Sequence, residues 1–369
     1  MVARVTDIET AISSAGTRDL AEFERPELES ALVALGQPRF RASQIYRWLH
    51  QRGIADPHGM TDLPIELRAT LANAFTIGTP AIVTRERSSD ATEKFLLGLG
   101  DGRQIESVFI PDTPAMTFCI STQVGCAMAC GFCLTGKMGL VRHLSAGEIV
   151  GQVRVLAHAL NLADKAFNIV LMGMGEPLHN YDATMKALRM LTDASGFGMP
   201  ARRITLSTVG LLPALERLAH EPIMPNLAIS LHAPTDRQRS ALVPLNARYG
   251  VADIVEACKR FPVRKRSRIT FEYVLLAGVN DSLEDARRLA RLLAGVKSKV
   301  NLIPLNEAAG IAFSRPSDEA VNAFAGILAD RGLIVSVRKS RGRDIRAACG
   351  QLIVDGQKKS AGQQLAVQL

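Results

Sequence analysis

From residue 117 to residue 337 short apolar runs alternate with longer amphipathic ones, and this alternation limits the possible folds more than any other feature of the 369-residue chain. Strands are predicted at Thr117–Ser121, Asn168–Met172, Ile204–Thr208, Leu227–Leu231, Ile269–Leu276, Lys299–Ile303 and Ile334–Val337, with helices between them. Ser145 with Glu148, and Asp281 with Glu284, have capping-box spacing, so helices are expected to start at both places. Strands joined by helical crossovers return to the same end of a sheet and run parallel. The expected core is therefore α/β, a parallel sheet either open or curved into a partial (β/α) barrel over residues 112–354. Functional groups in such folds gather where strands end at their carboxyl side.

The flanks read differently. Residues 1–90 look like a helical accessory domain. Ala31–Gly36 closes on a helix-stopping glycine, Ala42–Gln51 carries Ile45, Trp48 and Leu49 at helical spacing, and Ile65–Ala74 follows Leu63-Pro64. Arg39, Arg41, Arg47 and Arg52 lie among Phe40, Tyr46 and Trp48, a mixture that suits RNA contact and equally a solvated basic helix face. Residues 91–111 read as a linker β-hairpin, Phe95–Leu99 and Gln104–Ile110 around Asp101-Gly102. Residues 355–369, rich in Gln, Lys, Ser and Gly, read as a flexible tail. Hydrophobic residues (47%) suffice for a large core, and aromatic ones (5%) are so few that aliphatic side chains must fill it. The first residues lack the apolar centre of a signal peptide, and no run nears the roughly eighteen apolar residues of a membrane span. A cytoplasmic protein with no membrane partner is expected. The net charge of +8 fits a polyanionic partner such as nucleic acid, though a basic enzyme without one fits as well.

Three of the six cysteines fall within one short segment, Cys126-Ala-Met-Ala-Cys130-Gly-Phe-Cys133, just after the first strand of the alternating region. A closed zinc site would need a fourth ligand at short spacing, and His143 and Cys119, the nearby candidates, complete no recognised pair of ligand pairs. Three thiolates can instead hold three irons of a [4Fe-4S] cluster and leave the fourth open to a chelating substrate. This C-x3-C-x2-C spacing after a strand resembles the radical S-adenosylmethionine superfamily. Gly173-Met-Gly175-Glu176-Pro177 is similar to that superfamily's Gly-Gly-Glu segment, which receives the cofactor's ammonium. Ser207, Ser230-Leu231-His232 and Asn306 stand at later strand ends and would complete its site. Each alone would be an unremarked polar residue at a strand end.

The resemblance narrows further. Glu106–Pro111, Cys119–Cys126, Met172–Pro177, Ser230–Pro234, Asn301–Asn306 and Arg343–Leu352, with Gly36–Gln44 and Met60–Pro64 in the amino-terminal region, are similar to the RlmN family, which methylates carbon 2 of adenine in 23S rRNA and tRNA. The Cfr family, which methylates carbon 8, shares the chemical core and is the nearest alternative. A non-catalytic RNA-binding protein with a zinc knuckle is a more distant one. The resemblance implies that Cys349 is methylated by one S-adenosylmethionine, and that a second is cleaved to a 5′-deoxyadenosyl radical that takes hydrogen from the S-methyl group. The carbon radical then adds to the base. Cys119 would release the protein–RNA adduct by forming a disulfide with Cys349, and Glu106 would accept the ring proton. A thiolate accepts an electrophilic methyl readily, whereas an electron-poor ring carbon does not. Without the resemblance, Cys119 and Cys349 read as small buried hydrophobes and Glu106 as a strand residue facing water. The resemblance further implies an external electron donor of flavodoxin or ferredoxin type and a monomer. Cys258 matches no motif. Two basic runs, Lys259–Arg268 and Arg338–Arg346, could contact phosphates, and the second leads into Cys349.

Overall fold

The computed structural model describes residues 18–113 and 115–354. Fourteen strands are found among these residues. They are β1 (Arg18–Asp19), β2 (Phe75–Thr76), β3 (Ala81–Arg87), β4 (Glu93–Gly98), β5 (Gln104–Thr113), β6 (Ala115–Cys119), β7 (Gln123–Gly125), β8 (Leu140–His143), β9 (Asn168–Leu171), β10 (Ile204–Thr208), β11 (Asn226–Ser230), β12 (Ile269–Leu275), β13 (Ser298–Pro304) and β14 (Val335–Val337). Ten of them form one sheet in the order β14-β13-β12-β11-β10-β9-β6-β5-β4-β3. From β6 through β14 all neighbours are parallel, and β3 to β6 pair antiparallel. All seven strands predicted in the alternating region are present, shifted by no more than two residues at their ends. The parallel part exists because apolar residues on one strand face meet the connecting helices. On β12, Phe271, Tyr273 and Leu275 are buried, and Tyr273 packs on Phe324 of helix Asp318–Asp330. The alternate residues Thr270, Glu272 and Val274 line the interior.

Helix Ala146–Ala159 starts in the expected capping box, Ser145 with Glu148. At the second expected box the start lies one residue later. Ser282, not Asp281, caps helix Leu283–Leu292 and accepts the Asp285 N–H, while the Asp281 carboxylate accepts the Gly278 N–H in the preceding turn.

The amino-terminal helices fall at Arg25–Ala34, Arg41–His50 and Ile65–Ala74 around a separate small core that includes Leu28, Ile45, Leu49 and Leu67. Helicity does not run to residue 90. Ala81–Arg87 is the edge strand β3, fully exposed along its length, and its polar alternation lacks the buried face that would reveal a strand. Tyr46 and Trp48 are buried in that small core, so only Phe40 of the three aromatic residues is presented with the arginines. The unit is fastened to the barrel by polar contacts: Arg25 to Asp193 at 2.9 Å, Lys186 to Glu27 at 2.7 Å, and Gly147 N–H to Glu22 at 2.9 Å. The amino-terminal residues and the tail 355–369 lie outside the described residues. Among the described residues no helix is long and apolar enough to cross a membrane.

Candidate active site

The short hairpin β7–β8 shapes the cysteine loop. Gly125, the last residue of β7, has φ +76°, and a Cβ there would stand 1.9 Å from the Gly139 carbonyl oxygen. Only glycine permits that approach. It lets the Cys126 N–H reach the same carbonyl at 3.0 Å, while Gly131 N–H binds Leu242 O at 2.9 Å and Cys133 N–H binds Cys130 O at 3.1 Å. Cys126, Cys130 and Cys133 line one cavity of about 150 Å3, together with Gly175, Glu176, Ser207, Ser230, His232, Asn306 and Cys349. Among the described residues no three His, Cys, Asp or Glu side chains gather closely enough to hold a single ion. A cluster, in which each thiolate binds its own iron, does not need the three to converge on one ion.

The strand ends opposite are built to receive a polar ligand. Gly175 has φ +102°, and a Cβ would collide with Gln123. The Glu176 carboxylate is almost fully buried and accepts N–H bonds from Leu178 at 3.0 Å and Val209 at 2.9 Å. Burial nevertheless pushes its pKa up to about 7, and among the described residues no cationic side chain forms an ion pair with it. His232 sits at φ +63° and accepts the Val274 N–H on Nδ1 at 3.1 Å. Burial, then the neighbouring Arg239, lowers its pKa to about 3. The ring is neutral, with its proton on Nε2. The Ser207 and Ser230 hydroxyls are 3.4 Å apart, and the buried Asn306 Oδ1 has no hydrogen-bond partner among the described residues. Leu231 differs from the rest of the expected set. It is fully buried and does not line the cavity; its carbonyl accepts Arg239 Nε at 3.0 Å. Arg239, which sequence reading missed, also donates to Val209 O at 2.6 Å and Ser230 O at 3.2 Å, locking two strand ends together. No local signal separates it from a surface arginine.

Cys349 reaches this cavity on the segment after β14. That segment is held by Leu134 N–H to Gly350 O at 2.8 Å, Thr135 Oγ1 to Leu352 O at 2.6 Å, and Gly342 N–H to Asp90 at 3.0 Å. Cys119, at the end of β6, lies close by. Burial first, and Cys349 second, push its pKa up to about 12. The fold thus brings together two cysteines far apart in the chain, both with free thiols. Arg338 lines the same cavity as Cys349, and its pKa is raised chiefly by that neighbour. Glu106 is buried but does not line the cavity. It faces a cleft between the β3–β5 sheet and residues 344–354, where it pairs with Lys94 at 3.1 Å and accepts the Ile353 N–H at 2.8 Å. Burial raises its pKa, with Lys94 opposing.

A second cavity, of about 750 Å3, occupies the amino-terminal ends of the parallel strands. Arg202, Arg203, Lys299, Arg338, Lys339 and Arg341 line it, and it shares Met172, Glu272 and Arg338 with the first. Part of the Arg338–Arg346 run therefore faces the interior, joined by cations from β13 and the turn before β10 that look isolated in sequence. The Lys259–Arg268 run does not reach either cavity. Arg264 ties the Met224 carbonyl, and Lys297 donates to the carbonyls of Arg264 and Lys265.

Comparison with known proteins agrees with this geometry. Residues 120–291 match the family model of the Radical SAM superfamily, and residues 18–77 match the ribosomal RNA large subunit methyltransferase N-terminal domain. The chain is 47% identical over 346 residues to the dual-specificity RNA methyltransferase RlmN of Anaeromyxobacter dehalogenans, covering 92% of this chain and 93% of the relative. It is 47% identical over 352 residues to the protein of that name from Geobacter sulfurreducens, covering 95% and 96%. A crystal structure of a radical SAM methyltransferase from Sphaerobacter thermophilus superposes with a TM-score of 0.87 at 48% identity, covering 91% of this chain and 99% of that one.

Proposed function

The chain belongs to the RlmN family of radical S-adenosylmethionine RNA methyltransferases, and we propose that it forms 2-methyladenine in 23S rRNA and tRNA using Cys349 as the methyl carrier. The observation that carries this reading is a single cavity lined by Cys126, Cys130, Cys133, Glu176 and Cys349, with Cys119 beside it. A [4Fe-4S] cluster held by the three cysteines, with S-adenosylmethionine bound beside it, supplies an electrophilic methyl group and a hydrogen-abstracting radical. The residues fit that pair. Buried Glu176 forms no ion pair among the described residues and would take the ammonium, while Ser207, Ser230, His232 and the open Asn306 Oδ1 offer further polar contacts. Gly175 admits close backbone approach, and Leu231 contributes through its backbone alone.

Cys349 takes the methyl group on sulfur and, after hydrogen loss, its carbon bonds to adenine. The adduct gives up one electron to the redox partner and its carbon-2 proton to the base. Cys119 then attacks the Cys349 sulfur, and the sulfur–carbon bond breaks with its electron pair going to the ring. The former methylene takes a proton to become the methyl group, and an external reductant reopens the disulfide. Burial keeps Cys119 mostly protonated near neutral pH, which slows its own reaction with an electrophilic methyl group. The resemblance assigns the ring proton to Glu106, whose ion pair with Lys94 would have to open toward the base. The wide cationic cavity is a suitable path for an unstacked nucleotide and its phosphates. The amino-terminal domain match favours carbon 2 over the Cfr-type carbon 8. The reading includes a flavodoxin- or ferredoxin-type electron donor, a monomer in the cytoplasm, and division into an RNA-binding domain (1–90), a hairpin linker (91–111), a catalytic barrel (112–354) and a tail.

Nucleoside mass analysis of rRNA and tRNA after anaerobic reaction with labelled S-adenosylmethionine tests this. Label in 2-methyladenosine from both RNAs is expected; label at carbon 8, or in neither RNA, would overturn it.

A further inference from the structure

Glu272 stands at the seam of the two cavities and has no part in the chemistry described so far. With Met172 and Arg338 it lines both. Glu272, Asn301 and Ser336 are register partners across β12, β13 and β14, so their side chains stand in a row on one face. The Ser336 hydroxyl donates to Asn301 Oδ1 at 3.0 Å, and Asn301 Nδ2 donates to Glu272 Oε2 at 2.7 Å. An amide whose oxygen is already engaged can offer only its N–H groups, so this chain fixes Glu272 as an acceptor. Glu272 is 6% exposed, and its other oxygen has no hydrogen-bond donor among the described residues, with Arg338 and Lys299 as the nearby cations. A buried carboxylate with one oxygen open to a cavity is built to meet a donor.

We infer that Glu272 is a specificity-determining residue, whose open oxygen accepts a hydrogen from the exocyclic amino group of the target adenine and so sets carbon 2 against Cys349. This rests on the adenine-methylating function proposed above. The Watson–Crick edge of adenine presents, in order, an amino donor, the N1 acceptor and the C2–H. The seam presents a carboxylate acceptor, the Arg338 guanidinium donor and the Cys349 sulfur; Arg338 interacts with both of the others. Guanine would set a carbonyl oxygen against the carboxylate and already carries an amino group on carbon 2. Pyrimidines carry a carbonyl at carbon 2. Adenine is the only common base with both the donor and the C–H.

The test uses the reconstituted holoenzyme and two RNA hairpins, one with the target adenine and one with unsubstituted purine, which keeps N1 and C2–H but lacks the amino group. The wild type is expected to prefer adenine by about 100-fold in kcat/KM, as for a buried hydrogen bond that reads a base. In Glu272→Gln, Asn301 holds the amide oxygen and the new N–H2 group faces the adenine amino group. That variant should bring the ratio near unity by losing activity on adenine alone. S-methylation of Cys349, read by mass spectrometry without RNA, should stay at the wild-type level. Wild-type preference retained by the variant, equal loss on both RNAs, or loss of Cys349 methylation would overturn the inference. Failure of the wild type to methylate either hairpin would instead bring down the functional reading on which it rests.

Discussion

At the scale of single residues, the two sulfur atoms brought together by the fold are expected to fail in different ways. Cys349→Ala should abolish methyl transfer to RNA while iron and sulfide content stay at wild-type levels, because Cys349 lines the cavity without belonging to the cysteine triplet. Cys119→Ala should leave Cys349 methylation intact and accumulate a covalent protein–RNA adduct, visible as a slow band on a denaturing gel; clean turnover would remove Cys119 from the mechanism. Glu176 permits a test by pH. Its pKa rises from an ordinary 4.5 to about 7 in the folded chain, mainly through burial. A raised carboxyl pKa means that ionisation opposes folding, so the penalty grows between these two values and is full above the higher one. The Glu176→Gln variant leaves one of the two N–H donors facing an amide N–H2 but cannot ionise, so the stability of the cofactor-free variant relative to the wild type should improve by roughly 2–3 kcal/mol between pH 4 and pH 8. It should also bind S-adenosylmethionine more weakly, since the ammonium loses its partner. Denaturant titrations at the two pH values check the first part; a gap that does not change with pH would show that Glu176 is not the titrating group.

At the scale of elements, backbone constraints matter as much as side-chain chemistry. The β7–β8 hairpin holds Cys126 through a glycine at which any Cβ meets a carbonyl oxygen. Gly125→Ala should cost at least about 2 kcal/mol, combining left-handed strain with a backbone clash, and should lower iron incorporation in anaerobic preparations. Wild-type melting together with full iron content would show that the loop can move aside. Sequence reading located every strand in the parallel part of the ten-stranded sheet because a strand covered by helices carries a long apolar signal. It missed β3, whose residues are all exposed, and the short strands β1, β2, β7 and β8, which are too short to show a period. It placed Glu106 on a strand but could not see that the carboxylate turns toward Lys94 and Ile353, because strand alternation assigns a face without naming what covers it.

At the scale of the whole molecule, the positive charge is organised around the interior of the barrel. Arg202, Arg203, Lys299 and Arg341 come from different strands and the segments beside them, yet line one cavity. Replacing Arg202 and Arg203 together by alanine should weaken RNA binding. It should also flatten the slope of log affinity against log salt by about 0.7 for every single-strand phosphate that is no longer neutralised. Binding assays at several salt concentrations check this; an unchanged slope would move the RNA path elsewhere.

The sequence by itself determined the α/β class, the cysteine triplet and the strand ends that carry polar residues. Local spacing and periodicity encode each of these. Tertiary structure alone decided which distant residues meet: Cys349 with Cys119 and Arg338, Glu272 with Asn301 and Ser336, and Arg239 with three strand-end carbonyls. Such meetings depend on strand order and register, which arise from packing across the whole sheet and leave no mark in any one segment.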